Sequence, residues 1–389
     1  MKNHDKIVAS AQEYLMANKE KMILFLKELV EIETPSDKII SQHQILNFLN
    51  DRLSAMGYYV IHVSGKNTGG YLYARPKNRK KRLPIQLMIG HCDTVWPIGT
   101  LEKMPLTYIK GKITGPGVYD MKAGITQMVF SLMAIRHMNI PLSVEPVVFI
   151  NSDEEIGSRE STNALRRLAI LANRAYVLEP PLGLSGKLKT ARKGLGRFTI
   201  TVRGKAAHAG LDPSKGVNAI VELSQQVQRL YAMNDLEKGI SVNIGMIEGG
   251  ISPNVIAPFS KAVIDVRVLK EADGVAITKK IKSLKPIHKD VVMEIEGGIG
   301  RPPMEKTPRN QLLWKMAKRQ GQHLGLELEE ATAGGGSDGN TTSLYTATLD
   351  GLGTPGDGAH AAHEYILQNQ LIERTALLTL LLLLEPLNG

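Results

Sequence analysis

The stretch LPIQLMIGHCDT, residues 83–94, decides how the chain is read. Its apolar run Leu83–Gly90 has strand length and little polar alternation, so it reads as a strand buried on both faces, the kind found in sheets covered by helices. Two other runs repeat the pattern. Glu145–Ile150 leads into Asn151, Ser152, Asp153, Glu154 and Glu155, and Ala175–Leu178 leads into Glu179 and Pro180. Around them, apolar residues at helical spacing mark helices over 5–32, 38–56, about 122–138 and about 158–171, while Tyr58–Val63 and Gly70–Ala74 read as further strands. Short apolar strands separated by helices make this part α/β.

Past Lys193 the pattern changes. Arg197–Val202 alternates as a half-buried strand, Val217–Tyr231 reads as a helix, Val242–Ile247 and Ala262–Val268 as strands, Gly274–Leu284 as a helix and Val291–Ile295 as a last strand. The order β-α-β-β-α-β is that of a ferredoxin-like α+β domain. It closes on the run Gly297 to Pro303, read here as a hinge, after which helix and glycine-loop segments resume and end in an apolar helix over 370–384. The expected organisation is one α/β domain with a mixed sheet, built from residues 1–192 and 304–389 and interrupted by an inserted domain at 193–303.

Composition narrows the function classes. With 389 residues the chain is long enough for two or three domains. Its one cysteine, Cys92, excludes an internal disulfide framework, and the charged N-terminus lacks a signal-peptide core, so a cytoplasmic location is expected. The longest apolar stretch, Leu377–Leu384, is far shorter than the ~20 residues of a bilayer span, so no membrane partner is expected. The net charge of +10 raises a nucleic-acid reading, but six of the basic residues fall between Arg75 and Arg82, where a solvated hairpin tip accounts for them. Aromatic residues make up 5%, too few for base-stacking platforms, and no nucleic-acid partner is expected.

The chemistry lies where the apolar runs end. In extended backbone, positions i and i+2 share a side, so His91 and Asp93 can face together past the carboxyl end of a strand, where open α/β sheets bind ligands. Cys92 then points away and packs as a small apolar residue. Asp120, in GPGVYDMK (115–122), stands at a helix start; Asp153, Glu154 and Glu155 follow one strand and Glu179 another; and DGAHAAHE (357–364) precedes the last helix. Each has a plain structural account, as a polar turn, an N-cap or a charged turn feeding a helix dipole. Their conjunction is harder to explain that way. Two histidines with at least three carboxylates suit a pair of divalent cations sharing a carboxylate, a centre that polarises a carbonyl and acidifies water.

The motif set resembles the M20 family of metallopeptidases, most closely the glutamate carboxypeptidase, or carboxypeptidase G2-like, branch. The motifs are His-x-Asp-Thr after a strand, Gly-x-x-Asp-Met-Lys, Asp-Glu-Glu-x-Gly-Ser, Leu-Glu-Pro and a terminal His-Glu. The resemblance runs from about residue 20 to the C-terminus. It implies a metal-dependent catalytic domain interrupted by a lid and dimerisation domain, a homodimer formed through that insert, and two divalent metal ions per subunit, zinc with cobalt or manganese as alternatives. His91, Asp120 and Glu179 are implied as ligands of one metal, and Asp120, Glu155 and His363 of the other. Glu154 is implied as the general base and Asp93 as the residue orienting His91. His360 lies three residues before His363 and shares its face if the segment is helical; the trailing Glu364 favours His363 by resemblance, not by spacing.

GKAAHAG (204–210) matches the lid segment whose histidine, here His208, steadies the oxyanion in a partner subunit's site; a surface-loop histidine is the alternative. Carboxylate recognition is implied for Lys187, Asn254, Arg267 and Arg301, with Gly336 in the glycine loop against the substrate backbone. Arg267 also has a structural reading as an ion-pair partner of Asp265, and the glycine run as a flexible turn. The implied activity is a dinuclear-metal hydrolase that releases a C-terminal glutamate-like residue from a peptide or N-acyl amino acid. The alternatives are a deacylase of the acetylornithine or succinyl-diaminopimelate type, or a non-catalytic binding protein on the same fold.

Overall fold

The apolar runs form the centre of a six-stranded sheet in the computed structural model, which describes residues 2–387. The chain divides into two units: a larger one from the N-terminus to Thr190, Lys306–Ala333 and Ser337 onward, and a smaller one of Ala191–Glu305 with Gly334–Gly336.

In chain order the first part contains α1 (Lys2–Ala17), α2 (Lys19–Glu31), α3 (Ile39–Ala55), β1 (Tyr58–Val63), β2 (Tyr71–Pro76), β3 (Ile85–His91), α4 (Thr100–Lys103), β4 (Thr107–Ile109), β5 (Lys112–Thr114), α5 (Ala123–Met138), β6 (Glu145–Asn151), α6 (Thr162–Leu171), β7 (Ala172–Val177) and β8 (Leu188–Arg192). The smaller unit contributes β9 (Gly194–Arg203), α7 (Ala219–Tyr231), β10 (Ser241–Gly249), β11 (Phe259–Val268), α8 (Glu271–Lys282) and β12 (Val292–Arg301). The chain then returns with α9 (Pro308–His323), β13 (Glu330–Ala333), α10 (Asp338–Thr342), β14 (Ala347–Leu349), β15 (Gly356–Asp357), β16 (Tyr365–Leu367) and α11 (Gln368–Leu382).

The main sheet has the order β1-β2-β6-β3-β7-β14. β1, β6, β3, β7 and β14 run in one direction and β2, between β1 and β6, runs against them, so the sheet is mixed. Every residue of β3 and β6 is buried. The side chains alternate between two cores: Leu87, Ile89, Val147 and Phe149 pack on Leu165 and Ala169 of α6, while Met88, Val148 and Ile150 belong to the larger core with α5 and α11. That double covering is why the runs show no polar alternation. Among the described residues no helix is long and apolar enough to cross a membrane, and Leu377 to Leu382 of the apolar C-terminal run are buried in α11.

In the smaller unit four antiparallel strands are ordered β10-β11-β9-β12. Phe198, Ile200 and Val202 of β9 and Ile264, Val266 and Val268 of β11 face Leu223 and Leu230 of α7 and Ile277 and Ile281 of α8. β10 is an edge strand and exposes Met246 and Ile247, by 68% and 59%.

Four local expectations are corrected. The helix expected over 5–32 is two helices broken at Asn18, whose φ of −105° and ψ of 13° leave helical geometry. α6 starts at Thr162 rather than 158, because Ser158–Ser161 belong to a turn that the site uses. The basic stretch is no hairpin tip: β2 and β3 do not pair but flank β6, so the connection passes over the end of the sheet. The run from Gly297 is no hinge either. β12 continues through it to Arg301, paired with β9, and Gly297 takes a φ of +102° that a side chain would resist.

Candidate metal centre

Three adjacent parallel strands deliver the acids and one histidine. His91, the last residue of β3, is level with Asn151 of β6, and Ile89 is level with Val177 of β7, which brings Glu179 abreast of His91. Asp120 comes from the turn before α5, where the Asp120–Met121 peptide is cis. His91 Nε2 lies 3.1 Å from Asp120 Oδ1 and 3.4 Å from Glu179 Oε1. On the other side, His360 Nε2 lies 3.6 Å from Asp120 Oδ2 and 3.1 Å from Glu155 Oε2. The result is two three-residue donor groups, His91–Asp120–Glu179 and Asp120–Glu155–His360, sharing Asp120.

Neighbouring groups fix these side chains. Asp93 is fully buried; its Oδ1 and backbone carbonyl lie 3.4 and 3.0 Å from His91 Nδ1. Its carboxylate also accepts from Ser36 Oγ and from the backbone N–H groups of Glu154 and Glu155, so one residue orients both a donor histidine and the acidic turn. Glu364 accepts from the N–H groups of Gly117, Tyr119 and Asp120 and from the Trp96 indole, which holds the Asp120 turn in place. Burial nevertheless pushes Glu364 up to about 7, ahead of the lowering effect of those bonds.

The electrostatics describe a donor set short of positive charge. Burial would strip His91 of its proton, yet bonds from Asp120, Asp93 and Glu179 hold it well above the ordinary imidazole value. Bonds to Asp120 and Glu155 raise His360 to about 10. Burial raises Glu155, and works against Asp120 too, but the bonds from His360 and His91 hold Asp120 below the usual carboxylate range. Glu155 Oε1 is buried with no hydrogen-bond partner. A buried carboxylate oxygen without a donor is costly unless a cation takes it, so the residues present fit a pair of divalent ions.

The structure thus brings together His91, Asp93, Asp120, Glu155 and Glu179, with Glu154 beside Glu155 on the same turn. It does not bring His363, which is exposed and in neither donor group; His360 occupies the place expected for it. The reason is local. Residues 358–364 form a turn, not a helix, with φ of +83° at Gly358 and +62° at His360. Lys187 is half exposed and pairs with Glu329 at 2.5 Å. Cys92 is buried in the apolar core, which raises its thiol pKa.

In the smaller unit, His208 is exposed on a loop joined to the Asn254 segment, Ala209 N–H donating to the Asn254 carbonyl at 2.9 Å. His208 Nδ1 accepts from the N–H groups of Gly210 and Leu211, which leaves the ring proton of the neutral form on Nε2, a donor. Arg267 donates through Nε to Asp265 at 2.9 Å and through Nη1 to the Gly334 carbonyl at 2.8 Å. Arg301 lies so close to Gly336 that a Cβ there would meet its Cδ at 2.9 Å. Arg192, which sequence reasoning missed, is buried and donates to the carbonyls of Gly335 and Gly336. The strand before it reads Leu188-Lys189-Thr190-Ala191, with no apolar run to single it out.

Residues 190–285 match the family model described as a peptidase dimerisation domain. The chain is 30% identical over 350 residues to carboxypeptidase G2 of Pseudomonas sp. (strain RS-16), a match covering 87% of this chain and 83% of that protein. Its fold is similar to that of aminopeptidase PepT from Bacillus cereus, with a TM-score of 0.81 at 23% identity, covering 94% of this chain and 98% of that one. It is also similar to the Bacillus subtilis YxeP protein, a dinuclear metal-binding peptidase of the M20 family, with a TM-score of 0.71 at 15% identity, covering 95% and 98%.

Proposed function

The chain belongs to the M20 family of metallopeptidases, and from that premise we propose that it hydrolyses an amide bond to release a C-terminal, glutamate-like residue from a peptide or N-acyl amino acid. The observation that carries the reading is the pair of donor groups sharing Asp120, with Glu154 on the same turn as Glu155 but in neither group. His91, Asp120 and Glu179 would hold one cation, and Asp120, Glu155 and His360 the other. Zinc suits these nitrogen and oxygen donors, as do cobalt and manganese. When bound, such a pair polarises the scissile carbonyl and acidifies a water.

The chain's own residues do the rest. The Glu154 carboxylate takes a proton from the attacking water and passes it to the leaving amine nitrogen as the C–N bond breaks. Asp93 keeps His91 in one orientation. His208 donates from Nε2 to the developing oxyanion. Lys187, Asn254, Arg267 and Arg301 read the substrate's terminal carboxylate, the arginines through a planar fork that pairs with both its oxygens. The exposed edge strand β10 supports a homodimer formed through the smaller unit. Light scattering on the purified protein gives twice the chain mass if so, and an added charge at Met246 converts it to monomer.

The test of activity is a panel of N-acyl amino acids and dipeptides, assayed after chelation and reloading with zinc, manganese or cobalt. Glutamate-terminated substrates are turned over at least about tenfold faster than neutral or basic ones, a discrimination of the size one well-placed ion pair supplies. Glu154→Gln loses about two or more orders of magnitude in turnover with metal content unchanged. Faster cleavage of acetyl- or succinyl-amino acids that lack a terminal glutamate assigns the chain to deacylation instead, and full activity in Glu154→Gln removes that residue's role.

A further inference from the structure

The turn that carries Glu154 and Glu155 is held by buried carboxylates. Asp93, Asp153 and Asp338 are 0%, 1% and 2% exposed. Asp93 accepts from the N–H groups of Glu154 and Glu155. Asp153 closes the turn internally: its carboxylate accepts from Ser161 Oγ at 2.6 Å and from the Glu160 and Ser161 N–H groups at 2.8 and 3.2 Å, and its carbonyl accepts from Ser158 N–H at 2.7 Å. Asp338 reaches the turn from a distant part of the sequence. Its Oδ2 accepts from Asn151 Nδ2 at 2.8 Å, where β6 ends, and its Oδ1 accepts from Ser158 Oγ at 2.6 Å, on the far side of the two glutamates. Ser158 holds a φ of +52°, a conformation a β-carbon disfavours, and Asn151 Nδ2 also donates to Ser161 Oγ.

We propose that Asp338 is a positioning residue for the proposed reaction: it grips both ends of the Asn151–Ser158 turn and thereby fixes where the Glu154 and Glu155 carboxylates stand. A buried carboxylate costs desolvation that apolar packing would avoid, and what it returns here is geometry at two named points of one turn. Asp338 stands two residues after Gly336, so the same short segment that supplies the glycine loop also supplies the clamp. The inference rests on reading Glu154 as the proton-transferring carboxylate.

Asp338→Ala, Asp338→Asn and Ser158→Ala are compared with the wild type in the full chain at saturating zinc. The readouts are kcat and KM separately, bound metal per chain, and amide hydrogen exchange over residues 153–160. Asp338→Ala lowers kcat about 10- to 100-fold, the scale for residues that orient a metal site's side chains, leaves KM within about twofold, and speeds exchange in the turn. Asp338→Asn stays within about threefold of wild type, since a flipped amide still accepts from Asn151 and donates to Ser158 Oγ. Adding Ser158→Ala to Asp338→Ala costs no more than about a further twofold, because both changes remove one interaction. Should Asp338→Ala not fold, Ser158→Ala alone carries the test with a kcat loss of about 3- to 10-fold.

Unchanged kcat and exchange in Asp338→Ala, on a substrate the wild type turns over, overturns the clamp and leaves the hydrolase reading standing. Equal loss in Asp338→Asn and Asp338→Ala likewise counts against it. A wild type that hydrolyses no amide, with exchange still loosened in Asp338→Ala, overturns the hydrolase reading and keeps the clamp.

Discussion

His360 and His363 stand three residues apart, and His360 is the one that faces Asp120 and Glu155. His360→Ala therefore loses one of two bound cations, or weakens its affinity about 10- to 100-fold, whereas His363→Ala leaves metal content and turnover within about twofold; elemental analysis of the two purified variants decides between them. The sequence could not separate the pair. Spacing rules apply to helices and strands, and this segment is a turn whose course is set by the positive φ of Gly358 and His360 and by the bonds that pull Glu364 under the Asp120 turn. His91, Glu155 and Glu179 were legible for the opposite reason: each follows a buried strand, and a buried strand announces itself by local composition. Asp338 and Arg192 left no such trace, since their meaning lies in partners far along the chain.

At the scale of elements, the site depends on how closely α5 approaches the strand end that precedes Glu179. Gly124 sits in the first turn of α5, and a Cβ there would lie 2.1 Å from the Leu178 carbonyl oxygen. Gly124→Ala must push α5 away from that backbone, and with it the Asp120 turn away from Glu179. A stability loss of about 1–3 kcal/mol is expected, the usual cost of overpacking, with weaker binding of the cation proposed for His91, Asp120 and Glu179. Denaturant unfolding and a zinc titration measure both, and an unchanged zinc affinity would mean the two donors are held by something other than this approach. The strands and helices themselves were mostly readable from periodicity. Pairing was not: β2 and β3 look like a hairpin because they are consecutive, yet β6, some seventy residues on from β2, inserts between them, and no local pattern records that.

For the molecule as a whole, the two units have separate cores, so each can be perturbed by its own chemistry. In the smaller unit Glu222 is 2% exposed and accepts from Gln226 Nε2 at 2.7 Å and from the Ile287 and His288 N–H groups at 2.9 Å, tying α7 to the loop after α8. Burial opposes its ionisation, but those bonds win and hold it below its ordinary value of 4.5. Because the folded pKa is the lower one, the stabilisation is complete above that ordinary value and disappears as pH falls through the folded value. Glu222→Gln is therefore destabilised by about 1–3 kcal/mol at neutral pH, and its deficit against wild type shrinks as the solution is acidified below the ordinary glutamate value. Thermal unfolding across pH 3–8 reads the difference directly. The lone thiol gives the larger unit a gauge of its own. Cys92 is wholly enclosed and its proton is hard to remove, so iodoacetamide leaves it untouched until the surrounding layers part, and the rate of alkylation times that opening without any introduced label.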